Sequence, residues 1–334
     1  MADRLSREEF FAKTAGMDEA ALRKVLWTLY WRGTAQMRER IEGAIDPAQA
    51  DAVKKAATAP PNTELVLRQV TYFAELARSG AYIGRDRRVT PQERTRWRHE
   101  FRRLATNALA ALRATEPDDA IRAIEIMIGL ALEMEGTNYF RSEDPVEAAG
   151  FVVSDAAAAA WSVSLRRHGM VRFAEIAAPQ LVRWESRYGW TRTGFGRTSQ
   201  RETSLASVIA NMLPSGDSWG VFARAYLATL DGLAESPEDR YRYMDPAEER
   251  AHNLAEWHSM LLDRLFGAED EHLLDLLAEH PALGGPERDF FAARLAHARN
   301  DDATATTLIR RCLKRLPGSA EFREFATTIG AVAN

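Results

Sequence analysis

The residues best suited to chemistry in this chain are arginines set among aromatics. Positions 188–202 read YGWTRTGFGRTSQRE, which places Trp190 and Phe195 beside Arg192, Arg197 and Arg201. A guanidinium offers a fixed fork of N–H donors that matches a carboxylate or phosphate, and aromatic faces stack on bases. Gly194 and Gly196 flank Phe195 and permit backbone conformations closed to other residues. The segment reads as a receptacle with an aromatic floor and an arginine rim, or as a plug between two helical halves. A second basic stretch runs from Arg85 to Arg103. Within it Arg94, Arg98 and Arg102 recur every four residues and so share one helical face. Residues 231–302 are rich in Asp and Glu. The basic middle therefore meets an anionic partner, or pairs with the acidic last third. No helix-turn-helix, RRM, KH or zinc-finger pattern supports sequence-specific nucleic-acid readout.

Other reactive residue types are present without a constellation. His252 and Glu256 stand one helical turn apart, a spacing compatible with a metal, but His258 points elsewhere and HExxH is absent. The favoured reading is a surface helix. Glu116-Pro117-Asp118-Asp119 groups carboxylates where proline marks a helix start, so they cap N–H groups and complement the dipole. Ser154-Asp155 has no histidine near it in sequence. The single cysteine, Cys312, excludes an intrachain disulfide and reads as a small buried hydrophobe. No catalytic residue, metal ligand or cofactor is assigned.

The elements that position these residues are helices. Apolar residues recur at three-to-four spacing almost throughout, and period-2 alternation is absent. Ser6-Arg-Glu-Glu9, Thr90-Pro91-Gln92-Glu93 and Asp245-Pro246-Ala247-Glu248 are helix-start signals. Helices are expected over 6–15, 18–31, 34–44, 47–57, 63–79, 91–114, 117–135, 145–167, 169–187, 203–213, 217–234, 246–266, 269–279, 286–299, 302–315 and 319–330. The stripe Trp97, Phe101, Leu104, Ala108, Leu112 marks a core face. Connections are short, which favours antiparallel neighbours. The exceptions lie near 80–90 and at 188–202. The chain divides into an N-terminal helical array over 1–190 and a C-terminal one over 203–334, joined by the loop 188–202.

Composition sets outer limits. The chain has 334 residues, 46 % hydrophobic and 28 % charged, with a formal net charge of −4. This composition excludes wholesale disorder and a generic polyanion binder. The first residues lack the apolar run of a secretory signal. Ile124 to Met134 is far shorter than the ~20 residues that cross a bilayer. A cytoplasmic protein with no membrane partner is expected. Lysine occurs only at positions 13, 24, 54, 55 and 314, and with the alanine richness this looks like a bacterial, GC-rich coding bias.

The segment from Asp289 to Pro317 resembles a tetratricopeptide repeat. Ala293 and Ala305 stand at small contact positions, Asn300-Asp301-Asp302 forms the turn, and Ile309 is the bulky contact. Cys312 takes the second small position and Pro317 closes the unit. Asp289 and Ala296 replace the family's aromatics, and the period does not extend upstream, since Glu271 breaks it. The resemblance implies an all-α chain built as an irregular array of antiparallel helix hairpins, a TPR/HEAT-like α-solenoid. It also implies a concave surface for proteins or peptides. The expected function is non-enzymatic binding of a protein or peptide partner. The alternatives are a nucleic-acid or nucleotide binder using the arginine-rich middle, and an all-α enzyme of unknown reaction.

Overall fold

The computed structural model describes residues 6–45, 59–80, 91–135, 145–185, 196–234 and 245–331. Among the described residues the chain is all-helical, with no strand. None of their helices is long and apolar enough to cross a membrane. The helices start where side chains satisfy the orphan N–H groups of a first turn. Ser6 Oγ accepts from the Glu9 N–H at 3.2 Å while the Glu9 carboxylate accepts from the Ser6 N–H at 2.9 Å. Asp18, Asn62, Asp245, Ser204, Asp301 and Ser319 cap later helices with one side-chain acceptor each.

The chain forms two compact units, residues 1–60 and 61–334. The break expected near 190–203 falls inside the second. The first unit holds α1 (Arg7–Thr14), α2 (Glu19–Arg32) and α3 (Ala35–Ile45). Residues 47–57, expected as a helix, lie outside the described residues. α2 packs on α3, and the Tyr30 hydroxyl donates to Glu42 at 2.7 Å. No residue of α1 or α2 is buried. Trp27 and Trp31 are 60 % and 71 % exposed and stack on one another at 5.8 Å.

The second unit begins with α4 (Thr63–Arg78), α5 (Pro91–Ala111) and α6 (Asp118–Glu135), which pack on one another. Phe73, Trp97 and Phe101 form their aromatic centre, with Trp97 and Phe101 5.1 Å apart. The sequence reading of 145–167 as one helix is corrected here. A short α7 (Pro145–Ala149) ends at Gly150, whose φ of 65° is closed to most side chains, and α8 (Val153–Trp184) starts afresh. Gly169, at φ 74° and ψ 175°, folds α8 back on itself. Trp161 and Trp184 stack at 5.7 Å, and Trp161 Nε1 donates to Gln180 at 2.6 Å. In a straight helix residues 161 and 184 would stand about 34 Å apart at ~1.5 Å per residue. The hairpin break expected at 168–169 is therefore present.

Next come α9 (Leu205–Ala210), α10 (Gly216–Ala234), α11 (Pro246–Asn253), α12 (Ala255–Leu265), α13 (His272–Ala278), α14 (Gly285–Ala298), α15 (Asp302–Arg315) and α16 (Ala320–Thr328). α8 packs on α6, α9 and α10, α10 on α12, α14 on α11, α12 and α15, and α15 on α16. One apolar core runs from Val66 to Leu295, and a smaller one gathers Phe290, Ile309, Cys312, Phe322 and Ala326. Between α14 and α15 the chain turns at Asn300 with φ 62°. The Asp301 N–H donates to the Ala296 carbonyl and the Asn300 N–H to that of His297, both at 2.9 Å, so the last carbonyls of α14 are satisfied within the turn. Ala293, Ala305, Ile309 and Cys312 are buried where these two helices meet.

Candidate functional site

Of the arginine and aromatic candidates, Trp190, Arg192 and Phe195 lie outside the described residues. Arg94 sits in α5, and its side chain is likewise outside the description. Two of the others, Arg102 and the backbone of Arg197, meet at the five-residue α7. Glu147 of α7 accepts from the backbone N–H groups of Arg197 at 2.7 Å and Thr198 at 2.9 Å. The carbonyls of Ala148 and Ala149, at the C-terminal end of α7, accept from the Arg102 guanidinium at 3.3 and 3.1 Å. A Cβ at Gly196 would meet the Glu147 carboxylate, which would have to shift. Arg201 pairs with Asp155 at 2.7 Å, and Arg98 is half-buried one turn before Arg102.

This segment is fastened by carboxylates. Glu202 accepts from the Val153 N–H at 2.7 Å, the Ser154 N–H at 2.9 Å and the Ser154 hydroxyl at 2.6 Å. It thereby caps α8, whose own N-cap residue, Val152, has no side-chain acceptor. Burial raises the Glu202 carboxyl above its ordinary range, against the pull of those Ser154 and Val153 donors. Buried Glu185 accepts from the Leu205 N–H at 2.7 Å.

Several described arginines of both charge blocks pair with carboxylates. Arg103 pairs with Glu100 at 2.7 Å and Arg167 with Asp118 at 3.1 Å. In the acidic third, Arg299 takes Glu271 at 2.9 Å and Asp275 at 2.5 Å, and Arg315 takes Glu248 at 2.5 Å. The Arg299 guanidinium holds Asp275 below the usual carboxylate range; Glu271 is lowered first by the Gly267 N–H and then by Arg299.

A recess with acidic, basic, imidazole, hydroxyl and phenyl side chains lies elsewhere, between α12, α14 and the start of α16. It is a cleft of about 250 Å³. Glu287, Phe290, Phe291 and Arg294 line it from α14 at spacings of three, four and seven, so they occupy one helical face. α12 contributes Glu256, His258 and Ser259, and α16 contributes Glu321. Three carboxylates against one guanidinium give the walls a formal charge of −2. Arg294 donates to Ser259 Oγ at 2.7 Å and lies 3.5 Å from Asp263. Glu256 accepts from the Ser207 hydroxyl at 3.0 Å and also from that of Ser204. Glu287 meets His252 at 3.3 Å.

His258 forms part of the cleft wall and is 2 % exposed. Its Nε2 lies 2.7 Å from the Tyr226 hydroxyl, and burial pushes the imidazole pKa down to about 3. Burial also raises the Tyr226 phenol well above its ordinary value. A neutral phenol buried this deeply needs an acceptor for its proton, and Nε2 is in reach. Nε2 therefore accepts, and Nδ1 carries the imidazole proton.

The one-turn spacing of His252 and Glu256 does not survive in the structure. The helix breaks at Leu254 (φ −100°, ψ 9°), so His252 lies in the last turn of α11 and Glu256 in the first turn of α12. His252 turns to Glu287 and Glu256 to the two serines. Among the described residues no group of three His, Cys, Asp or Glu is placed to hold a metal. Sequence reasoning missed Tyr226, Glu287, Arg294 and Glu321. A usable signal existed for His258. It shares the stripe of Leu254, Leu261 and Leu265, where an ionisable ring is out of place. Comparison with protein families, with curated proteins and with solved structures finds no match.

Proposed function

We propose that the second unit is an irregular array of antiparallel helix hairpins, ending in a tetratricopeptide-like pair, that binds a protein or peptide partner without catalysing a reaction. The observation that carries this reading is the cleft between α12, α14 and α16. At about 250 Å³ it has room for one inserted side chain. Its lining of two phenyl rings with ordered charged groups is the anatomy of a side-chain pocket on a docking surface. The arginines of the middle stretch support the rival nucleic-acid reading less well. Arg102 closes the end of a helix and Arg103, Arg167 and Arg201 are paired with neighbouring carboxylates.

The test is selection of a displayed random-peptide library on the immobilised protein, alongside an Ala255→Trp variant that fills the cleft. Enriched peptides that bind the parent and fail on the variant, with equal thermal midpoints, are the expected result. Failure to enrich any peptide overturns the proposal.

A further inference from the structure

We propose that the cleft between α12, α14 and α16 receives a single lysine or arginine side chain of an extended peptide, with Nδ1–H of His258 donating to that residue's carbonyl. This rests on the peptide-binding reading and specifies its chemistry. The first ground is charge. Glu256, Glu287 and Glu321 approach the cleft from three different helices, and Arg294 is the one basic side chain among the lining residues. Arg294 is already engaged by Ser259 and Asp263. An entering carboxylate or phosphate would have to displace those bonds while facing three glutamates. An ammonium or guanidinium meets complementary charge on several sides.

The second ground is the buried histidine, an observation independent of the carboxylates. Tyr226 occupies Nε2. The proton on Nδ1 belongs to a ring that forms part of the wall and is nine-tenths buried. A buried donor calls for an acceptor. A peptide carbonyl supplies the acceptor and a basic side chain supplies the charge, and one residue carries both. The third ground is the floor. Phe290 and Phe291 are nearly fully buried, and both line the same recess. The methylene stem of lysine or arginine lies along apolar surface while its head stays polar. Phenyl faces also attract a cation directly.

A metal ion fits these walls poorly. The three carboxylates do not gather as a coordinating group, and Glu256 is held by two serine hydroxyls.

The experiment is calorimetric titration with three blocked pentapeptides, Ac-Ala-Ala-X-Ala-Ala-NH2, where X is lysine, norleucine or glutamate. Norleucine keeps the stem and removes the ammonium. The expected result is that the lysine peptide binds about 10-fold tighter than either of the others, a difference of about 1.4 kcal/mol. The double variant Glu287→Gln with Glu321→Gln should remove that preference, and the Ala255→Trp variant should remove binding. Equal affinity for norleucine would make the cleft a purely apolar pocket. Preference for glutamate would put Arg294 in charge. Either overturns the inference. n-Butylamine serves as the free-amine arm, and if it binds as tightly as the lysine peptide the site is one for small amines, which also overturns it. If the double variant fails to fold, the comparison of the three peptides on the parent protein still decides. If none of the three binds while library-selected peptides do so in an Ala255-dependent manner, this inference fails and the peptide-binding reading stands. If neither class binds, both fail.

Discussion

The Tyr226 hydroxyl and Nε2 of His258 lie 2.7 Å apart, bridging α10 and α12 in a setting where both side chains are buried. The pair fixes the ring of His258, and burial keeps it neutral. An imidazole held at a pKa of about 3 takes no proton in the native state at mildly acidic pH, whereas the unfolded chain's histidine binds one below about 6.5. Stability from this residue is thus fully present above about pH 6.5 and is lost as pH falls toward 3, by up to about 1.4 kcal/mol per pH unit. Urea melts at pH 8 and pH 5 should show that loss, and His258→Gln should reduce the slope. An NMR titration that shows the His258 ring protonating near pH 6.5 in the folded protein would contradict the assignment.

Glu202 holds the start of α8 from outside that helix. Glu202→Ala removes the acceptor for two backbone N–H groups and one hydroxyl. The expected cost is about 2 kcal/mol, the upper range for a lost cap. Glu202→Gln keeps one acceptor oxygen and should cost less. Chemical denaturation of the two variants checks the order; equal stability of parent and Glu202→Ala would refute the cap.

Cys312 is fully buried between α14 and α15, and its Sγ donates to the Pro286 carbonyl at 3.3 Å. Burial pushes the thiol pKa up to about 12, so little thiolate exists at neutral pH. Reaction with a thiol reagent should be negligible in native buffer and complete in denaturant. Cys312→Leu should destabilise by about 1–3 kcal/mol through overpacking, read as a lower denaturation midpoint.

Trp27 and Trp31 are exposed, whereas Trp97, Trp161, Trp184 and Trp257 are fully buried. Acrylamide should therefore quench a distinct fraction of the emission, and Trp27→Phe with Trp31→Phe should shrink that fraction and shift the rest to shorter wavelength. An unchanged quenchable fraction would show that the α2 rings are covered in solution.

Helix existence was legible wherever a side chain near the start carries its own signal. Ser6 with Glu9, and Asp245 with Pro246, act locally and need nothing from the rest of the chain. Gly169 could be read the same way. The breaks at Gly150 and Leu254 were not, because both sit inside apolar periodicity that continues on either side. The cleft was hidden for a related reason. The His252–Glu256 spacing assumed an unbroken helix, while Glu287 and Glu321 reach the site from helices that sequence distance does not connect to α12. The arginine face of α5 was visible as periodicity, but its use by α7 depends on carbonyls at a helix end, which no side-chain pattern records.

The Glu202 contact has a consequence for the order in which the chain emerges from the ribosome. Val153 is synthesised 49 residues before the carboxylate that satisfies its N–H. At roughly 5–20 residues per second, the first turn of α8 waits about 2–10 seconds for its acceptor. During that interval the Gly169 hairpin can close, since Trp161, Gln180 and Trp184 all precede residue 202. The start of α8 is thus the last part of that hairpin to be secured during translation. A ribosome paused before residue 202 has left it would hold a nascent chain whose Trp161, Gln180 and Trp184 are free to pair while the first turn of α8 still lacks its acceptor.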